Sequence, residues 1–244
     1  MRTRAPVEVD IVLGKYANIT KVPELKKRLF FTLALLAIYR IGVFVTVPGV
    51  NRSSMQQLVS GGGGLLGLLN LFTGGALQLM SIFALGIMPY ISASIIFQLM
   101  AVVVPAIERL QREGESGRKK ITQYTRYATV LLSLIQGVII SGYLINLNEA
   151  NPGLLVETGI GFRAMTILTL TAGAVFLMWL GEQITERGVG NGISLLITAG
   201  IIAQFPLAVL QTYQSFDSGA MSPMSLMLLL VIAFGTTADR RAHV

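Results

Sequence analysis

Residues 65–106 are apolar almost without interruption for about 42 positions, roughly twice the ~20 that one helix needs to cross a bilayer. Such a run has to be divided, and the natural division is the glycine pair Gly74-Gly75. It leaves a first piece, residues 65–73 (LLGLLNLFT). As helix this piece is roughly 14 Å long, too short for a ~30 Å hydrocarbon core. It must be re-entrant or packed inside protein, because unsatisfied backbone in lipid is costly. The competing reading is an interfacial helix lying on the membrane.

The second piece, 78–104, is long enough to span and is expected to be one helix closed by Pro105. It carries Pro89 at mid-depth and scatters Ser92, Ser94 and Gln98 among its apolar residues. Helical spacing puts Ile87, Ile91, Ser94 and Gln98 on one face. A helix facing only lipid has no use for Gln98, so this face lines a polar path or packs on polar neighbours.

Further spans are expected at about 29–47, 127–147, 163–181 and 193–212, with a shortened sixth run at 221–234 and a polar tail at 235–244. The composition agrees: 53% hydrophobic, 13% charged, mean hydropathy +0.68. These values belong to an all-α, multi-span membrane bundle, not a soluble domain. Arg40, near the far end of the first span, either snorkels to the interface or bonds a facing group. The segment 1–28 has no apolar stretch of signal-peptide type.

Charge sets the orientation. Residues 1–28 and the loop 105–126 hold 13 of the 19 Lys and Arg, whereas the loops on the other side hold only Arg52 and Arg163. That asymmetry places the N-terminus in the cytoplasm. It also accounts for the net charge of +7 without nucleic acid, leaving anionic membrane lipid or a cytosolic factor as partners of the basic loop.

Catalytic chemistry is poorly supplied. There is no cysteine, and the one histidine, His243, lies in the polar tail, so no metal site and no cofactor are expected. GVGNG at 188–192 has neither a preceding strand nor a P-loop lysine, and reads as a tight turn with Asn191 capping the next helix. Glu182 and Arg187 flank it and are expected to pair. Gln136 could meet Gln98 or Ser94 across a helix interface. Every Asp and Glu lies in a loop or at a span end, which disfavours the alternative of an ion-coupled small-molecule transporter.

Three stretches, SIFALGIMPYISASIIFQLM (81–100), EGESGRKKITQYTRY (113–127) and FLMWLGEQITERGVGNGISLLI (176–197), closely resemble the SecY family of protein-translocation channels, bacterial type. IYRIGVFVTVPGV (38–50) fits the family's first span. The resemblance implies a passive channel, not an enzyme. It would conduct unfolded secretory preproteins across the bacterial cytoplasmic (inner) membrane and release membrane segments sideways. It implies a pore ring at Ile87, Ile91, Ile193 and Ile197, and a plug made of Leu65, Leu66, Leu68, Leu69, Asn70, Leu71 and Phe72. Ser94, Gln98 and Gln136 would stand at the lateral gate. Arg109, Arg112, Arg118, Lys119 and Lys120 would face cytoplasmic partners. Implied partners are SecE, SecG, the SecA motor ATPase and the ribosome. The family has ten spans, so this chain matches the N-terminal half. It is expected to be inactive alone, as a truncation or frameshift product or as half of a split subunit.

Overall fold

The computed structural model describes residues 23–61, 70 and 73–217. The regular elements among these residues are seven α-helices: α1 Pro23–Gly42, α2 Arg52–Gly61, α3 Met88–Val103, α4 Pro105–Arg112, α5 Glu115–Ala150, α6 Ile160–Arg187 and α7 Gly192–Asp217. Isolated bridges join Thr46 to Ser81 and Val50 to Leu155. The plug residues other than Asn70, the shortened sixth run and the polar tail lie outside the described residues.

Local chemistry explains the breaks. Pro23 opens α1, where a missing N–H costs nothing, and Glu24 faces the positive end of the helix dipole. Pro105 forces the residue before it out of the α region. Val104 is accordingly extended (φ −101°, ψ 111°), and the chain turns by 99° between α3 and α4. Pro105 then serves α4 as its first-turn proline. The basic loop expected at 105–126 is therefore largely helical, since α5 begins at Glu115 and runs unbroken to Ala150.

Two expected helices are shorter than the sequence implied. The first ends at Gly42, not near residue 47; beyond it the chain forms turns and the Thr46–Ser81 bridge. The supposed continuous helix over 78–104 is helical only from Met88. Residues 73–87 instead form successive turns, with positive φ at Gly74, Gly75, Met80 and Gly86. Pro89 sits in the first turn of α3, not at its middle.

α5 and α6 are long and apolar enough to cross a membrane, and α3 with α4 adds a third span if the bent pair is counted as one. At 1.5 Å per residue α5 extends for roughly 54 Å, well beyond a ~30 Å core. It packs along α6 through a stripe of small residues, Thr125, Thr129, Ser133, Gly137 and Ser141, all buried at every fourth position. A Cβ on Gly137 would stand 3.3 Å from Ile167 Cα, so glycine permits this approach. The hydroxyls of the stripe donate back to carbonyls of their own helix, Thr129 to Thr125 O at 2.7 Å for example, and so are bonded without a partner on α6.

The turn segment 73–87 is buried at the centre of the first of two compact units, that of the described residues up to Ile201. Met80, Ser81, Phe83 and Leu85 are all buried there. One apolar cluster gathers Val47, Met80, Leu85, Leu144 and Leu170; another gathers Tyr39, Phe83, Ile87, Leu177 and Leu196. The described residues from Ile202 to Asp217 belong to a second unit and are the end of α7, which contains Pro206.

Candidate functional site

Irregular backbone at membrane depth is tolerable only where protein satisfies it. Here distant side chains supply the partners. Arg40 Nη1 donates to Gly74 O at 2.7 Å, and Tyr39 Oη to Thr73 O at 3.4 Å. Ser81 Oγ donates to Gly42 O at 3.0 Å and accepts from the Phe83 N–H. Backbone bonds from Val47 N to Met80 O and from Ile82 N to Val45 O tie the segment to the chain after α1. Asn70 Oδ1 accepts from the Gln78 N–H at 2.8 Å, fastening the one described plug residue to the same turns.

Glycines bring neighbouring backbones close. A Cβ on Gly74 would lie 2.7 Å from Gly200 Cα, so α7 crosses the turn at van der Waals contact. Gly173 of α6 leaves room for the Ile82 carbonyl, and Gly192 for that of Gly181. Asn191 Oδ1 accepts from the N–H groups of Ile193 and Ser194, capping α7 as its sequence indicated.

Between the turns, α3, α5 and α7 lies a cavity of about 490 Å³. Ile87, Ile91 and Ile197 line it together with Thr73, Leu77 and Gln136. Ile193 does not line it but packs in the same apolar cluster, so all four isoleucines gather in one region. Its lining is almost wholly aliphatic, with the Gln136 amide and the Thr73 hydroxyl as the polar side chains, and no carboxylate lines it among the described residues.

The expected single face of Ile87, Ile91, Ser94 and Gln98 is divided. Ile87 precedes α3 as its N-cap residue (φ −93°, ψ 4°), outside the helical register. Ser94 and Gln98 turn to a separate cavity of about 150 Å³ shared with Tyr90, Gln111 and Thr125. Gln98 Nε2 donates to Ser94 Oγ at 3.2 Å, so these two side chains satisfy each other within α3, and Gln136 does not join them.

The cytoplasmic candidates lie on α4 and the first turns of α5. Arg112 pairs with Glu108, Lys119 with Glu115 at 3.1 Å and Lys120 with Glu113 at 3.4 Å, all on exposed side chains. Arg109 and Arg118 have no ion pair among the described residues. Glu182 does not pair with Arg187 as expected. Its Oε1 accepts from Arg126 Nε at 2.8 Å across α5 and α6. That hydrogen bond holds the Arg126 guanidinium above its ordinary range. Arg126 was legible only as one more basic loop residue. Its partner lies 56 positions away, and no local spacing announces it.

The SecY family profile matches residues 81–238, well over half of the chain. The chain belongs to the SecY family. A protein translocase subunit SecY from Haemophilus influenzae is 50% identical over 215 residues, covering 88% of this chain and 48% of the relative. That of Escherichia coli K12 is 46% identical over the same length, with 88% and 48% covered. The SecY-family chain thus spans about half the length of the curated relatives it matches. Among solved structures, a protein-conducting channel aligns at TM-score 0.60 and 16% identity, covering 95% of this chain and 52% of that one. Sec61 from the canine ribosome–channel complex of the endoplasmic reticulum aligns at 0.56 and 17%, with 95% and 52% covered. At these identities the likeness is one of fold, and it is the fold of an all-helical channel half.

Proposed function

We propose that this chain forms the N-terminal half of the central channel subunit of the Sec protein translocase. The channel conducts unfolded preproteins across the bacterial inner membrane and releases membrane segments sideways into lipid. Ile87, Ile91, Ile193 and Ile197 supply half of a pore ring, residues 65–73 the plug, and Ser94, Gln98 and Gln136 stand at the lateral gate, Gln136 apart from the other two. The N-terminus lies in the cytoplasm. SecE and SecG complete the channel, and SecA and the ribosome engage Arg109, Arg112, Arg118, Lys119 and Lys120. The function is passive conduction, not catalysis.

The observation that carries this reading is the aliphatic cavity framed by Ile87, Ile91 and Ile197 against a buried, non-helical turn segment. Branched aliphatic side chains yield to any polypeptide, yet dewet when the path is empty and so restrain ions. The absence of a lining carboxylate among the described residues favours a polypeptide over an ion-coupled solute.

A photoreactive side chain at position 91, in a complete channel carrying these residues, tests the reading. With a preprotein arrested in transit it should crosslink to that preprotein, while the same probe at position 168, exposed on α6 and away from the cavity, should crosslink mainly to lipid. Equal crosslinking from both positions contradicts it.

A further inference from the structure

At one end of the helices, the first turns of α1 and the last turn of α6 enclose a groove of about 710 Å³. Five charged side chains line it, Lys27, Arg28 and Arg187 against Glu24 and Glu186. None of the five forms an ion pair or side-chain hydrogen bond among the described residues, although both signs share one groove. The apolar side of the groove is Phe30, Phe31 and Ala34, and Phe30 stands 74% exposed.

The two walls are fixed to each other. Buried Thr32 donates its hydroxyl to Arg28 O at 2.9 Å and accepts the Val189 N–H at 3.1 Å. Gly188 packs directly on that hydroxyl, where any side chain would collide. The charges therefore sit on a braced frame that joins α1 to the turn after α6.

We propose that this groove holds the headgroup of an ethanolamine phospholipid, with one acyl chain along Phe30. Lys27, Arg28 and Arg187 take the phosphate through charge-assisted hydrogen bonds. Glu24 and Glu186 take the primary ammonium, whose N–H groups can donate to both carboxylates. A purely anionic headgroup leaves the two carboxylates facing it without a partner. A choline headgroup offers them a cation without an N–H. Glu186 also borders the neighbouring groove that Arg118, Lys119 and Arg126 line, so its carboxylate has competing cations on that side. Glu24 has no such competitor there, which makes it the sharper probe.

The inference rests on the membrane reading above, and the test separates the two. The 244-residue chain is first floated with vesicles of phosphatidylethanolamine and phosphatidylglycerol; failure to float contradicts the membrane reading and this inference with it. Floated chain is then extracted in detergent and titrated with phosphatidylethanolamine, phosphatidylglycerol or phosphatidylcholine of identical acyl chains, and bound lipid is counted by native mass spectrometry. The expected result is a preference of about fivefold for phosphatidylethanolamine over the other two, the scale of one or two charge-assisted hydrogen bonds in partial solvent. Glu24→Gln with Glu186→Gln removes that preference and raises phosphatidylglycerol binding. Arg28→Gln with Arg187→Gln weakens both phosphatidylethanolamine and phosphatidylglycerol. All four positions are exposed, so helical content by circular dichroism stays that of the parent. Equal retention of the three lipids, preference for phosphatidylglycerol, or an ethanolamine preference that survives the glutamate substitutions overturns the proposal.

Discussion

Arg40 Nη1 donates to the carbonyl of Gly74 at 2.7 Å, across 34 residues of chain, and among the described residues no carboxylate pairs with the guanidinium. A cation within an apolar segment is expensive unless something bonds it. The acceptor is a carbonyl on a residue with φ +65°, where no helix offers a donor. Each group thus answers the other's unmet need, and Phe44 adds its ring face 5.7 Å from the Arg40 guanidinium.

Removing that donor should loosen the turn segment. Arg40→Met is expected to lower stability by about 1–3 kcal/mol, the cost of an unsatisfied buried acceptor. Arg40→Lys should recover part of it. Thermal unfolding of the chain in one detergent measures both, and an Arg40→Met variant as stable as the parent contradicts this role.

The crossing of α7 over the turns depends on having no side chain at Gly200. Gly200→Val must push against the Gly74 backbone and Tyr39 Oη, 3.2 Å from a Cβ built there, and is expected to destabilise by roughly 1–3 kcal/mol. Gly142 on α5 has open space around its Cβ position. Gly142→Ala should therefore stabilise by about 0.5–1 kcal/mol through helix propensity. Melting temperatures that move the same way in both variants would refute the distinction.

The brace between α1 and the turn after α6 should tolerate Thr32→Ser and not Thr32→Val. Valine fills the same space but leaves the Val189 N–H without its acceptor, at an expected cost of about 1–3 kcal/mol. Hydrogen exchange at Val189 reads this locally: faster in Thr32→Val, unchanged in Thr32→Ser. Equal protection in both variants shows that the hydroxyl does nothing there.

The pair between Arg126 and Glu182 is half in solvent, with side chains 45% and 13% exposed. Glu182→Gln should therefore cost no more than about 1 kcal/mol, with the difference shrinking as salt rises. A salt-independent loss of several kcal/mol would mean that the pair is buried in the membrane-inserted protein.

The helical class was legible because apolar runs and proline punctuation are local signals. Pro105 ends α3 as expected, and Asn191 caps α7. Residues 78–87 were misread for the opposite reason. They are apolar enough for a span, but Ser81, Thr46 and Arg40 tie the segment into turns through partners far away in sequence. Hydropathy cannot register those bonds. The gathering of Ile87, Ile91, Ile193 and Ile197 came from resemblance rather than periodicity, since Ile87 lies outside the helix that carries Ile91. The α5 stripe was legible in principle: Thr125, Thr129, Ser133, Gly137 and Ser141 recur every four residues, and the small-residue spacing alone marks a close helix interface.

The account turns on whether the aliphatic cavity is the closed part of a conducting path. The direct measurement is resting ion conductance across planar bilayers of a complete SecY-family channel carrying these residues, with Ile87→Asn and Ile197→Asn introduced together. The account predicts a resting conductance several-fold above the parent, because two amides in the collar hold water where isoleucine excludes it. A conductance equal to the parent's, from channels that still conduct when opened, would contradict it.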